Sequence, residues 1–165
     1  MRKVLMIMMM AMVVVIAGAQ EKESKGMWIG GGFGLNGGDA DGWNLSPQWG
    51  MMFNENMGLG ANLILTDDDW MVEPYFRYYM GITDNFKFFA DGAVAFGGND
   101  DYSMFQIQVR PGVQYWFTPK WSLAAATPLL SFYSRNYDSD ALEDISTSFL
   151  GLDATNLSFS LYFHF

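Results

Sequence analysis

Leu157-Ser158-Phe159-Ser160-Leu161-Tyr162-Phe163-His164-Phe165 alternates apolar and polar side chains without a break to the last residue of the chain. Successive strand residues point to opposite faces, so the five odd-numbered residues share an apolar face and the four even-numbered ones a polar face. An open strand of this kind, facing water, is an aggregation hazard unless something covers it. A closed barrel in lipid covers it: the edges pair with neighbouring strands, and the apolar face meets acyl chains.

The same period of two recurs upstream. Phe105, Ile107, Val109, Pro111, Val113, Tyr115 and Phe117 alternate with Gln106, Gln108, Arg110, Gly112, Gln114 and Trp116. Val72, Pro74, Phe76, Tyr78 and Met80 face one way, with Glu73, Tyr75, Arg77 and Tyr79 on the other. Shorter alternations begin at Met27, Leu45, Met57 and Phe86. Trp121 to Phe132 reads as a seventh strand, Tyr133 to Ser148 as the longest loop, and residues 149–165 as an eighth strand. Pro47 deletes a ladder donor and implies a bulge or strand end. Connections at 54–56, 81–85 and 118–120 are short, while those at 37–43, 66–70, 97–103 and 133–148 are mostly longer and acidic. These features predict an all-β chain: an eight-stranded antiparallel up-and-down transmembrane barrel with its short turns in the periplasm. Phe53, Phe86, Trp116 and Trp121 near the turns, and Trp43, Trp70, Tyr102 and Tyr133 near the loops, predict two aromatic girdles.

Residues 1–19 read as an export signal, with Arg2 and Lys3, an apolar stretch from Val4 to Ile16, and the small-residue site Ala17-Gly18-Ala19. The apolar part is short for a spanning helix, which weighs against an uncleaved anchor. Residues 20–25 form a charged leader and 26–165 the barrel domain, so the expected location is the outer membrane, reached through the Sec pathway. With no Cys in the chain, disulfides, thiol catalysis and a lipid-bearing cysteine are excluded. A net charge of −9, more acidic still once the signal is removed, argues against nucleic acid as a partner.

Alternation alone does not decide which face is outside, because a soluble ligand-carrying barrel would reverse it. The polar-parity positions are mostly Gly, Ser, Ala, Asn and Gln, with few charges. A water-facing surface is richer in charge, whereas a narrow barrel interior takes small hydrogen-bonding side chains. The polar set is therefore assigned to the lumen. Its charges suggest a network: Asp91 opposite Arg110, Arg77 in diagonal reach of Asp91, and Glu73 on the face of Arg77. Buried charges persist when paired, so Glu73, Arg77, Asp91 and Arg110 read as a plug, with a polar path or gated pore as the alternative.

Glu73-Pro74-Tyr75-Phe76-Arg77-Tyr78-Tyr79-Met80, the turn Thr83-Asp84-Asn85, the run from Arg110 to Phe117 and the signal resemble the small outer-membrane β-barrel proteins of Gram-negative bacteria. The ending, with Leu161, Phe163 and Phe165, resembles their terminal assembly signal. That resemblance implies lipopolysaccharide and outer-membrane lipid as surroundings, the barrel-insertion machinery as a partner, periplasmic chaperones in transit, and a monomer. It says little about activity, since the members of the family serve varied roles.

Three chemistries remain to be weighed. His164, the single histidine, could pair with Ser160 or Ser158, as in barrels that act on lipid A, but it lies at the wrong end for the outer leaflet. The loop acids Asp39, Asp41, Asp67, Asp68, Asp69, Asp100, Asp101, Asp138, Asp140, Glu143 and Asp144 read as a solvated repulsive rim. Alternatively, Ca²⁺ or Mg²⁺ bridges them to lipopolysaccharide phosphates, since hard cations prefer oxygen ligands. Gly30 to Gly34 is no phosphate cradle, because no helix follows it. The expected function is a non-enzymatic outer-membrane barrel with a membrane-structural or surface-contact role. A lipid A-modifying enzyme and a narrow channel are the alternatives.

Overall fold

The computed structural model describes residues 26–35, 43–66, 69–81, 83–99, 101–137, 144–152 and 157–165. The export signal and the charged leader lie outside the described residues. The strands are β1 (Met27–Leu35), β2 (Trp43–Met52), β3 (Met57–Leu65), β4 (Trp70–Gly81), β5 (Phe86–Gly98), β6 (Tyr102–Thr118), β7 (Trp121–Ala126), β8 (Leu130–Tyr137), β9 (Ile145–Leu150) and β10 (Ser158–His164). β1 to β6 pair in chain order, each antiparallel to the next. The lower half of β6 pairs with β7, β7 with β10, and β10 with β1, which closes the ring. β8 and β9 continue β7 and β10 upward as a hairpin held to the upper half of β6. The ten strand segments therefore make eight staves.

The seventh strand is not the continuous run from Trp121 to Phe132 expected above. Opposite β6 the register passes from Gly112↔Ala126 to Gln108↔Ser131, a slip of one residue. Pro128, which has no N–H to give to a ladder, lies in the gap. The slip exchanges the faces. Below it Ser122 and Ala124 are buried while Trp121 and Leu123 are exposed. Above it Leu130 and Phe132 keep the apolar side outward. The expected 133–148 loop is correspondingly shorter, because β8 runs on to Tyr137 and β9 begins at Ile145. The eighth stave is likewise divided between β9 and β10.

Prolines sit where a missing donor costs least. Pro47 pairs with Gly31 of β1, and the β2–β3 ladder skips Ser46 and Pro47. Pro74 pairs with Ala61, and the β4–β5 ladder skips Glu73 and Pro74. The outer face carries a belt that includes Ile29, Leu59, Phe76, Phe88, Val94, Ile107, Leu123, Phe159 and Leu161, all exposed, which a bilayer solvates and water does not. At the short-turn end the belt finishes in rings: Phe86 on Phe88, Trp121 on Phe163, and Phe163 on Phe165. Trp116, Tyr102 and Tyr133 do not join a girdle. They are on the lumen parity, where Trp116 packs on Tyr79 and His164, and Tyr102 and Tyr133 pack around Arg135. Trp43 lies in β2, but its side chain is outside the described set.

Large rings fit inside so narrow a cylinder because glycines face them. A Cβ on Gly50 would lie 2.1 Å from the Trp28 ring, one on Gly60 2.4 Å from Tyr75, and one on Gly112 2.3 Å from Phe89. Outward-facing Gly31 has nothing within 4 Å. Gly50→Val should therefore cost about 1–3 kcal/mol of unfolding free energy, or prevent closure altogether, through overpacking. Gly31→Val should stay within about 0.5 kcal/mol. Urea unfolding from bilayers, together with the fraction of unboiled protein that migrates as the folded band, measures both.

Candidate functional site

The mid-lumen is built by the even-numbered face of β6 and β10 and the odd-numbered face of β4 and β5. Alternation turns Glu73, Tyr75, Arg77 and Tyr79 of β4 inward together, beside Phe89 and Asp91 of β5 and Gln108, Arg110 and Gln114 of β6. Arg77 and Asp91 stand directly opposite one another across the ladder, rather than diagonally. The pair is bidentate, Nε to Oδ1 at 2.7 Å and Nη2 to Oδ2 at 2.8 Å, and both side chains are under 5% exposed. Asp91 also faces Arg110 in register, but Arg110 Nη2 lies 3.8 Å from it and only 2.7 Å from Glu73 Oε1. Glu73 further accepts from Asn62 Nδ2 at 2.6 Å and from Gln108 Nε2. Two acids and two bases thus share the lumen in one connected, charge-balanced set.

Neutral groups, which the charge pattern alone does not single out, complete the set. Arg77 donates from Nη1 to Gln114 Oε1 at 3.2 Å and from Nη2 to the Tyr162 hydroxyl at 3.3 Å. Its guanidinium carbon lies 3.9 Å from the centroid of Phe89, a close cation–π stack. Tyr79 donates to Gln114 Oε1 at 2.8 Å, and Tyr162 to Gln48 Oε1 at 2.6 Å. Trp28 Nε1 reaches the Tyr75 hydroxyl at 3.3 Å. The signal for these partners was the parity itself: each occupies the polar register of its strand.

Little space is left. A cavity beside Arg77, Asp91 and Arg110 is about 20 Å³, enough for a single water. The two buried polar atoms without a protein partner among the described residues, Asn62 Oδ1 and Arg110 Nε, belong to residues that line it. At the short-turn end the lumen widens into a vestibule of about 810 Å³ walled by Tyr79, Lys87, Trp116 and His164.

His164 meets neither expected serine. Its Nε2 is 2.7 Å from Ser122 Oγ, which also accepts from Gln114 Nε2 at 2.6 Å. Ser160 is held by Gln48, and Ser158 donates to the Ala126 carbonyl. The Ser122 hydroxyl is fully buried, so no substrate reaches it. Leu161, Phe163 and Phe165 lie on the outer parity, opposite Gly31, Ile29 and Met27 of β1. Of the loop acids, Asp69, Asp101 and Asp144 are described. Asp69 accepts from Tyr102 and Asn99, Asp144 from the Tyr137 amide, and no metal-binding group of three forms among the described residues. The other loop acids lie outside the described set.

No family model and no curated protein matches the chain. Solved structures do match it. A de novo designed transmembrane β-barrel superposes with a TM-score of 0.57 at 7% identity, covering 88% of this chain and all of that one. The crystal structure of Neisserial surface protein A superposes with a TM-score of 0.57 at 12% identity, covering 87% of this chain and 100% of that one. The chain has the fold of a small transmembrane β-barrel, with antiparallel staves in up-and-down order.

Removing one partner of a buried ion pair strands the other, at a cost of about 3–5 kcal/mol. Arg77→Leu should therefore destabilise the barrel by that order. Adding Asp91→Leu to it should recover a large part of the loss, as Arg110 stays paired with Glu73. A double-mutant cycle by urea unfolding in bilayers reads the coupling, and simple additivity of the two losses would contradict it.

Proposed function

We propose that this protein is an outer-membrane barrel that neither conducts nor catalyses, and that its role is membrane-structural or surface contact. The observation that carries this reading is the packed mid-lumen: the cavity beside Arg77, Asp91 and Arg110 is only about 20 Å³, among ion pairs from β4, β5 and β6 and rings from β1, β4, β5 and β10. A conducting path needs continuous room for hydrated solutes, which eight-stave barrels leave only when their interior side chains are small. Location in the outer membrane is supported by the exposed apolar belt and the aromatic rings at the short-turn end. Lipopolysaccharide and outer-membrane lipid are the surroundings such a belt fits. The apolar, outward-facing Leu161, Phe163 and Phe165 fit the insertion machinery as a partner, with chaperones before it.

The lipid-modifying alternative would need a reachable nucleophile or acid–base pair near the outer leaflet. His164 instead lies at the short-turn end and is engaged with a sealed hydroxyl.

Planar-bilayer recordings of the purified barrel test the reading. We expect no step conductance from the native protein. Arg77→Ala should lower the unfolding midpoint without opening a conductance, because Tyr75, Phe89 and Tyr162 still fill the section. Discrete current steps from the native protein, or a large new conductance in the variant, would favour the narrow channel. Fractionation of cells, with protease access to the 138–143 connection from outside, tests location and orientation.

A further inference from the structure

Lys87 is a lumen cation outside the mid-barrel network. It continues the inward parity of Phe89 and Asp91 on β5, one step nearer the short-turn end. The ion pairs formed among the described residues join Arg77, Arg110, Glu73 and Asp91, and Lys87 enters none of them. Its ammonium lies instead 5.7 Å from the centroid of the Tyr79 ring and 5.7 Å from that of Trp116. The side chain is half-buried and lines the vestibule of about 810 Å³. That volume is within the range of sites for small organic ligands.

The vestibule is polarised. One wall is a run of three rings, with His164 5.7 Å from Trp116 and Trp116 6.0 Å from Tyr79. Tyr79 is buried, and Trp116 and His164 are half-buried. Glu55 and Asp84 also line the space, but they are exposed, in the connections between β2 and β3 and between β4 and β5. Neither comes within ion-pair distance of Lys87. A cation thus sits inside over rings, and two acids stand at the mouth. A simple anion is repelled at that mouth, and a simple cation meets Lys87 within. A zwitterion with separated charges and an apolar middle complements all three groups.

We propose that the vestibule binds a short peptide by its free ends. The terminal carboxylate would take the Lys87 ammonium, and the terminal ammonium would face Asp84 and Glu55. An aromatic side chain would pack on Trp116 and Tyr79, where rings prefer offset or edge-on partners. A single amino acid carries both charges on one carbon, whereas each added residue parts them by about 3.3–3.6 Å. Glu21 and Glu23 precede Gly26, a wall residue, in the chain, so the protein's own leader is the competing occupant.

The full-length protein, refolded into lipid nanodiscs, is titrated calorimetrically with the tripeptide Ala-Ala-Phe bearing free ends. Parallel titrations use its C-terminal amide, its N-acetyl form and Ala-Ala-Ala. We expect saturable binding of the free peptide, weakened several-fold by either cap and by loss of the ring. Lys87→Met should weaken the free peptide several-fold and leave the amide, which lacks that contact already, unchanged. Lys87→Arg should retain most of the binding. Glu55→Gln/Asp84→Asn should weaken the free peptide and spare the N-acetyl form. The folded band on unboiled gels reports that each variant has closed. Absence of saturable binding to the folded protein, or equal binding of the free and amidated peptides, would overturn the proposal. So would equal loss of both in Lys87→Met. Binding that appears only in Glu21→Gln/Glu23→Gln would also overturn it, by making the leader the occupant.

Discussion

A guanidinium group at the axis of a narrow cylinder, cut off from water, sets the terms for everything around it. Arg77 has five N–H donors and a charge that no neighbour can neutralise by taking its proton. Asp91 supplies the countercharge in bidentate form, Gln114 and Tyr162 take further donors, and Phe89 covers one face. Each of those groups then needs partners of its own, which draws in Gln48, Tyr79 and Ser122. A partly satisfied network of this kind is worse than an apolar core. The demand propagates outward until most staves contribute.

Steric demands follow from the same arrangement. Tyr75 and Phe89 pack against the Arg77 guanidinium and Trp28 bonds Tyr75, and these rings need depth that a wall of larger residues would not leave. Gly50, Gly60 and Gly112 provide it by having no Cβ where the rings lie. The polar network and the small wall residues are therefore two halves of one packing solution. The lumen is better described as a core with an inverted polarity than as a pore.

Alternation made the fold legible. A period of two, read at β4, β6 and β10, was enough to assign inward and outward faces and to gather Glu73, Arg77, Asp91 and Arg110. The order of the ion pairs was less legible, because it depends on side-chain reach: Arg110 lies in register with Asp91 yet extends to Glu73. The division of the seventh stave is hidden in the sequence, because Leu129 and Leu130 keep the run apolar through the slip at Pro128 and hydropathy shows no break. Nearness to a turn points Trp116 to a girdle, but its even-numbered place in β6 turns it into the lumen against Tyr79 and His164. The serine partner of His164 came from β7, a neighbour across the ladder, and nothing near His164 in sequence points to it.

All four charges of the mid-lumen network belong to β4, β5 and β6, three consecutive staves joined by short connections. Arg77 and Asp91 are 14 positions apart, whereas Gln48 and Tyr162 are 114 apart and meet only across the closing seam. Closing a short loop costs less chain entropy than closing a long one. In kinetic terms the meander of these three staves can neutralise its own charges while the sheet is still open. The seam between β1 and β10 then shuts over pairs already made, and no lone ion has to be carried into a sealed interior.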